Sequence, residues 1–302
     1  MVHDLPKAEL HLHLEGSVEP ETLRELDPAL SAEEVHARYR YENFAGFIES
    51  FKWVIQRLRG PADYALVARR LLERLARENV RYAEITISAG VMLWRGQEFA
   101  PVYEALRQEA ARSPVEVRWI LDAVRQMGPE PAMQVAKLAA ERVAQGVVAF
   151  GIGGDEALGP VGWFGEVFEF ARAGGLHLTV HAGETVGPES VWGALRLGAE
   201  RIGHGIRAVE DPALIEWLRE HSIPLEICIT SNVATGAVEA LERHPVRRIY
   251  EAGVPIVLGS DDPAMFATTL EREYEVAARE FGFTGEELRG IAENGFRFAF
   301  KG

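Results

Sequence analysis

The 302-residue chain is 47% hydrophobic and 26% charged, the composition of a globular protein with apolar material for a sizeable core. Its 32 Lys and Arg against 46 Asp and Glu leave a formal net charge of −14, which argues against nucleic acid and anionic membranes as partners. No apolar run approaches the roughly 18 residues of a membrane span, the start MVHDLPKAEL lacks the regions of a signal peptide, and one cysteine, Cys228, excludes an internal disulfide or a cysteine zinc cluster.

The chain therefore reads as cytoplasmic, with His and carboxylates as its strong metal ligands. In chain order, short β-rich runs alternate with longer segments of helical periodicity such as LVARRLLERLARE and PAMQVAKLAAERVAQG, the pattern of βαβ units and a parallel sheet. Strands are expected at 9–14, 80–88, 115–122, 147–152, 176–181, 201–204, 224–230 and 255–260, eight in all, the number that closes a TIM-type (β/α)8 barrel. Length alone would allow two domains, but no flexible linker interrupts the alternation, so residues 1–302 are expected to form a single barrel. The long spacing after the first strand leaves room for a helical insertion, 17–79, able to cover the barrel mouth as a lid.

Polar residues gather where these strands end: His11, His13 and Glu15 after the first; Gly154, Asp155 and Glu156 after the fourth; His181 and Glu184 after the fifth; His204 after the sixth; Ser231 and Asn232 after the seventh; Asp261 and Asp262 after the eighth. In a barrel those carboxyl ends converge on one face, where active sites are built. His11 and His13 share a strand face because side chains alternate with period two, although a His-x-His alone is as readily barrel filling. With His181, His204 and Asp261 they offer an imidazole and carboxylate set with room for water, the donor chemistry of a catalytic zinc. Asp261 and Asp262, being adjacent, share the site only if the strand ends there; Asp before Pro also suits a helix N-cap. Glu184 reads as a first-turn glutamate or as a proton-transfer group beside a metal. The glycines of GIGGDE read as turn punctuation or as backbone open to a flat ligand. His3, His36, His221 and His244 read as solvated, and His177 as lying at the opposite barrel end.

KAELHLHLEGS, GIGGDE, HAGE, ERIGHG, SNVATGAV and SDDPAMF, in that order and spanning nearly the whole chain, resemble the adenosine deaminase family of the metal-dependent amidohydrolases. The resemblance implies a barrel with one Zn2+ per subunit that removes the 6-amino group of purines by hydrolysis. It implies His11, His13, His181 and Asp261 as metal ligands and Glu184 as the acid that protonates purine N1. His204 would orient or deprotonate the attacking water, Asp262 would bond the hydroxide or N7, and Gly154 would offer its backbone to N3. The absence of a lysine in GIGGDE favours a single metal.

The partner expected is thus a small 6-aminopurine nucleoside; no particular oligomeric state is implied. Glu15 stands where many adenosine deaminases have Asp near the 5′-hydroxyl. NFAGFIESFKWVIQRL, NVRYAEITIS, ETVGPESVWGAL and PLEICITSNVATGAV are most similar to the aminodeoxyfutalosine deaminases of menaquinone synthesis, whose substrate carries a benzoate arm at the 5′ position. A benzoate calls for an aromatic wall and a cation, for which 41–59 offers Phe44, Phe47, Phe51, Trp53, Arg57 and Arg59, with Phe51 and Trp53 the leading contacts; part of this set would instead be the apolar face of a covering helix. The alternatives are an adenosine deaminase of purine salvage, an adenine deaminase, an amidohydrolase acting on an amide or ester, and a non-catalytic zinc-binding barrel.

Overall fold

The structure is a computed structural model and describes residues 2–301. Eight parallel strands form one sheet in chain order: β1 (Lys7–His13), β2 (Val80–Ile87), β3 (Glu116–Val124), β4 (Val147–Gly153), β5 (His177–Ala182), β6 (Arg201–His204), β7 (Leu225–Ile227) and β8 (Ile256–Leu258). Their side chains are almost all buried, because helices cover the outside and other strands the inside. The ring closes through site residues: the His13 N–H donates to the Asp261 carbonyl at 2.8 Å and the Asp261 N–H to the His11 carbonyl at 2.9 Å. A (β/α)8 barrel is thus the observed fold.

Four helices separate β1 from β2: α1 (Pro20–Leu26), α2 (Ala32–Arg38), α3 (Phe44–Ile55) and α4 (Pro61–Arg77). The last buries Tyr64, Val67, Ala68, Leu71, Leu72 and Leu75, one stripe at helical spacing, and serves as the barrel's outer helix. The first three are extra, and α3 reaches across the carboxyl ends of the strands. The Tyr41 hydroxyl donates to the Met265 carbonyl at 2.6 Å and the Phe47 and Phe266 rings lie 4.9 Å apart, which joins this segment to the loop after β8.

Around the rest of the ring run α5 (Ala89–Trp94), α6 (Phe99–Arg112), α7 (Pro129–Ala140), α8 (Gly165–Ala173), α9 (Pro188–Arg196), α10 (Pro212–Glu220), α11 (Ile229–Ala234), α12 (Val246–Glu251), α13 (Leu270–Phe281) and α14 (Gly285–Arg297). Proline at the first turn sets the start of α4, α7, α9 and α10, and a Thr284–Glu287 capping box that of α14. Among the described residues no helix is long and apolar enough to cross a membrane.

The amino end of the barrel is filled by the chain after α14. Phe296, Phe298 and Ala299 pack on Ala8, Leu10, Tyr82 and Val257, and Phe300 packs on Ile120, Val148 and Ala149. The Arg201 guanidinium stacks 3.6 Å from the centre of the Phe300 ring and bridges Glu84 and Glu226. The closed end leaves the carboxyl end as the open face.

Two expected strands are shorter than their apolar runs. Residues 229–234 form helix α11, so the chain turns immediately after β7 and delivers Ser231 and Asn232 inward, where both are buried. No helix begins at Asp262, which opens only a turn, its carbonyl accepting from the N–H groups of Met265 and Phe266.

Candidate active site

A cavity of about 330 Å³ opens at the carboxyl ends of the strands. Its floor holds His13, His181, His204, Glu184, Asp261 and Asp262, with His11 just beneath, its ring 4.7 Å from that of His181 and 4.9 Å from that of His204. The sequence named each of these residues, which come from the ends of four strands, β1, β5, β6 and β8. His204 and Asp261 both take left-handed backbone, φ +62° and +60°, which side chains adopt at a cost; here it ends each strand abruptly. Asp262 approaches because position 16 is glycine: a Cβ there would lie 1.7 Å from Asp262 Oδ1. Both aspartates therefore enter the site, and the N-cap reading of Asp262 falls.

The donor set fits a divalent cation. His13 Nε2 and His181 Nε2 face each other at 3.2 Å, His11 Nε2 and His13 Nε2 each lie 3.4 Å from Asp261 Oδ1, and His11 Nε2 is buried with no hydrogen-bond partner among the described residues. Such crowding of lone pairs calls for a positive centre. Burial lowers His13 to about 4 and His181 well below its ordinary value, so both are neutral and able to bind a metal. His11 goes the other way: against the effect of burial, Asp261 and Glu226 raise it well above its ordinary value, since its proton balances their charge in the absence of a metal. His11, His181, His204 and Asp261 place donors within 4.8 Å of one another, as do His13, Asp261 and Asp262, so geometry brings six candidate ligands together, the expected four with His204 and Asp262 added.

These candidate ligands are held from behind. His11 Nδ1 lies 2.7 Å from Glu226 Oε2, and Arg201 Nε donates to Glu226 Oε1 at 2.6 Å, an arrangement that fixes ring orientation and tautomer. Ser231 Oγ donates to Asp261 Oδ2 at 2.5 Å, and Arg125 donates to the His181 carbonyl.

Glu184 belongs to the loop before α9, not to its first turn. Burial, with Asp261 and Glu156 nearby, raises its carboxyl to about 8, so it holds a proton at neutral pH. Its loop hangs on Glu156, a residue the sequence placed at a strand end without a role. The Glu156 carboxylate accepts from the N–H groups of Gly183, Glu184 and Thr185 at 2.8–2.9 Å and from Ser190 Oγ at 2.5 Å. Burial and ionised Asp261 push Asp262 well above the ordinary carboxyl range, while His11 helps hold Asp261 well below it; two neighbouring carboxyls so separated can divide acid and base roles. His204 lies 3.7 Å from Glu184 and 4.0 Å from Asp261 and is lowered by burial to about 4.

Gly154, at φ +95°, brings bare backbone to the cavity edge. Asp122, which the sequence reading passed over, also lines the cavity; burial raises it to about 8, and its Oδ1 has no partner among the described residues. Its signal was an acid at the carboxyl end of an otherwise apolar strand. Glu15 accepts from the Ser88 N–H at 3.1 Å, leaves Oε2 without a partner among the described residues, and sits behind the cavity wall rather than on it.

Above the floor the cavity is apolar. From α3, Phe44, Phe47, Ile48, Phe51, Lys52 and Ile55 form one stripe, faced by Val91 and Trp94 of α5 and by Val124 and Met127. Phe51 takes its expected place. Trp53 does not: it turns away, with the Arg57 guanidinium 4.1 Å over its ring. Arg57 is held by the Trp53 carbonyl and Asp27, and Arg59 by Asp63 and the Leu26 carbonyl. The cation at the cavity is Lys52, whose Nζ lies 2.8 Å from Glu49, and the added aromatic is Trp94, 73% exposed.

Of the other histidines, His3, His36 and His221 are exposed and His177 begins β5 at the far end. His244 corrects the expectation. It is buried and hydrogen-bonds Asn232, because the chain after α11 folds back beneath the floor.

The adenosine deaminase family model matches residues 6–301. An aminodeoxyfutalosine deaminase of Streptomyces avermitilis is 42% identical over 98% of this chain and 87% of its own length. An adenine deaminase of Rhizobium leguminosarum is 37% identical over 99% and 96%. Among solved structures, an amidohydrolase of Burkholderia ambifaria with bound Zn superposes with a TM-score of 0.92 at 28% identity, over 100% of this chain and 87% of that one.

Proposed function

The chain belongs to the adenosine deaminase family and is a hydrolytic deaminase, and from that premise we propose that it removes the 6-amino group of aminodeoxyfutalosine with the help of one bound zinc ion. The observation that carries the choice is the two-part cavity, a titratable floor beneath an apolar chamber whose one cation among the described residues is Lys52. A bare adenine needs only the floor. The benzoate arm of aminodeoxyfutalosine is an aromatic acid, and Phe44, Phe51 and Trp94 with Lys52 supply an aromatic wall and a positive charge for it. The Streptomyces relative points the same way.

His11, His13, His181 and Asp261 would hold the ion, which when bound supplies a water acidic enough to serve as hydroxide near neutral pH. The chain's own groups do the rest. Glu184 keeps a proton and gives it to N1 as the ring loses aromaticity at C6. Gly154 offers bare backbone to the purine edge. His204 and Asp262 orient the attacking oxygen, and the apolar chamber excludes competing water. The added water oxygen stays on C6 and the amine leaves as ammonia.

The test is ammonia release by zinc-loaded protein from aminodeoxyfutalosine, adenosine, 5′-methylthioadenosine and adenine, compared by kcat/KM. A preference for aminodeoxyfutalosine of tenfold or more supports the reading. Equal or better use of adenosine overturns it in favour of purine salvage, the reading that the intact GGDE and Thr235-Gly236 motifs also permit.

A further inference from the structure

A chain of three buried side chains runs under the floor and ends on His204. It begins at a backbone N–H, which can only donate: Val246 N–H lies 3.2 Å from His244 Nδ1. His244 Nδ1 must therefore accept, and since burial keeps this imidazole neutral, its proton sits on Nε2. His244 Nε2 lies 3.2 Å from Asn232 Oδ1, so the amide oxygen accepts there. The orientation of Asn232 follows. Its NH2 then faces His204 Nδ1 at 3.0 Å and Glu184 Oε1 at 3.4 Å, with one hydrogen for each. His204 Nδ1 is left as an acceptor.

We infer that His244 and Asn232 are positioning residues that hold His204 as its Nε2–H tautomer, so that it meets the reacting oxygen as a hydrogen-bond donor. No alternative proton arrangement satisfies all four groups. Were Asn232 reversed, its oxygen would face the Glu184 carboxyl and its NH2 would face a His244 nitrogen that already carries hydrogen. Three consequences follow. His204 lacks a lone pair on the nitrogen nearest Asp261, which removes it from the candidate ligands and leaves His13 in the set. It begins the reaction as the group that orients the oxygen, not the group that takes its proton. Finally, one amide fixes both His204 and the acid Glu184, so the two are set relative to each other by a single side chain that is itself fully buried.

The inference rests on the floor being the reactive centre, and its test can fail separately. In zinc-loaded protein labelled with 15N-histidine, long-range 1H–15N correlation reports the His204 tautomer without any substrate. An Nε2–H His204 is expected; an Nδ1–H or doubly protonated ring overturns the inference even if the parent deaminates well. Asn232→Asp, nearly isosteric, presents an acceptor to Nδ1 and should convert His204 to the Nδ1–H form. His244→Phe removes the anchor while keeping ring volume against Phe281, and should lower kcat about 10- to 100-fold with KM little changed. His244→Gln, which can accept from Val246 N–H and donate to Asn232, should restore most of the loss. If His244→Phe and His244→Gln behave alike, or if Asn232→Asp leaves the tautomer unchanged, the chain does not govern His204. Absence of ammonia release by the parent on every substrate would instead sink the functional reading while leaving the tautomer result intact.

Discussion

Replacing Glu184 by Gln tests the acid and its environment together. Gln keeps the oxygen that accepts from Asn232 Nδ2 and Thr235 Oγ1 at 3.4 and 3.5 Å, so the shape and the contacts survive while the transferable proton is lost. A positioned general acid contributes about 10²- to 10⁴-fold, or roughly 3–5 kcal/mol of barrier, and kcat should fall by that much with zinc retained. The parent should lose activity as pH rises through about 8, where Glu184 gives up its proton. Stability supplies a second readout. A carboxyl raised from 4.5 to about 8 binds its proton more tightly folded than unfolded, so its contribution is fully present below about 4.5 and is lost as pH climbs toward 8. At about 1.4 kcal/mol per tenfold, that loss amounts to at most about 5 kcal/mol. Metal-free parent and variant, unfolded in urea between pH 5 and 8.5, should therefore diverge, the variant losing less. A variant with kcat within tenfold of the parent refutes the role of Glu184. Parallel stability curves refute the raised carboxyl.

His13→Ala and Asp261→Ala should each abolish tight zinc binding and activity together, by metal analysis after dialysis; an active metal-free variant would refute the ligand set. Glu156→Gln leaves one oxygen for four donors around the Glu184 loop and should cut kcat about 10- to 100-fold with zinc still bound; an unchanged kcat would show that the loop holds itself. Lys52→Ala and Trp94→Ala should raise KM for aminodeoxyfutalosine about tenfold while barely changing that for adenosine, since each removes roughly 1.4 kcal/mol of contact with the acid arm alone; equal effects on both substrates would return the chamber to plain packing. Trp53→Leu should leave that ratio unchanged and lower Tm.

The floor was legible in the sequence because barrel geometry converts position into neighbourhood: a polar residue at the end of an apolar strand has one place to go. That rule points to His11, His13, His181, His204, Asp261 and Asp262, and it applies equally to Asp122, a lone acid at the end of β3. What the rule cannot supply is the direction of a helical side chain. Phe51, Lys52 and Trp53 are consecutive on α3, 100° apart around its axis, and only the docking of the helix against Phe266 decides that the first two face the cavity and the third faces Arg57. The burial of His244 is hidden from the sequence for a related reason. Its neighbours LERHPV look like a surface loop, and burial arises only because that loop folds back on α11.

These two kinds of legibility divide the function itself. The chemistry rests on strand ends locked by the barrel closure, where the backbone of Asp261 bonds the backbone of both His11 and His13; a shift of any one moves the rest, so the floor has little freedom to vary. On the proposed reading substrate choice rests on α3, preceded by Tyr41 with its hydroxyl on the Met265 carbonyl, and on α5, which follows β2 directly and lies against Ala123 and Val124 of β3. Their stripe can change residue by residue without disturbing a ligand. Relatives named aminodeoxyfutalosine deaminase and adenine deaminase both align over nearly the whole chain, and on the proposed reading the rim, rather than the floor, is what would choose between such substrates.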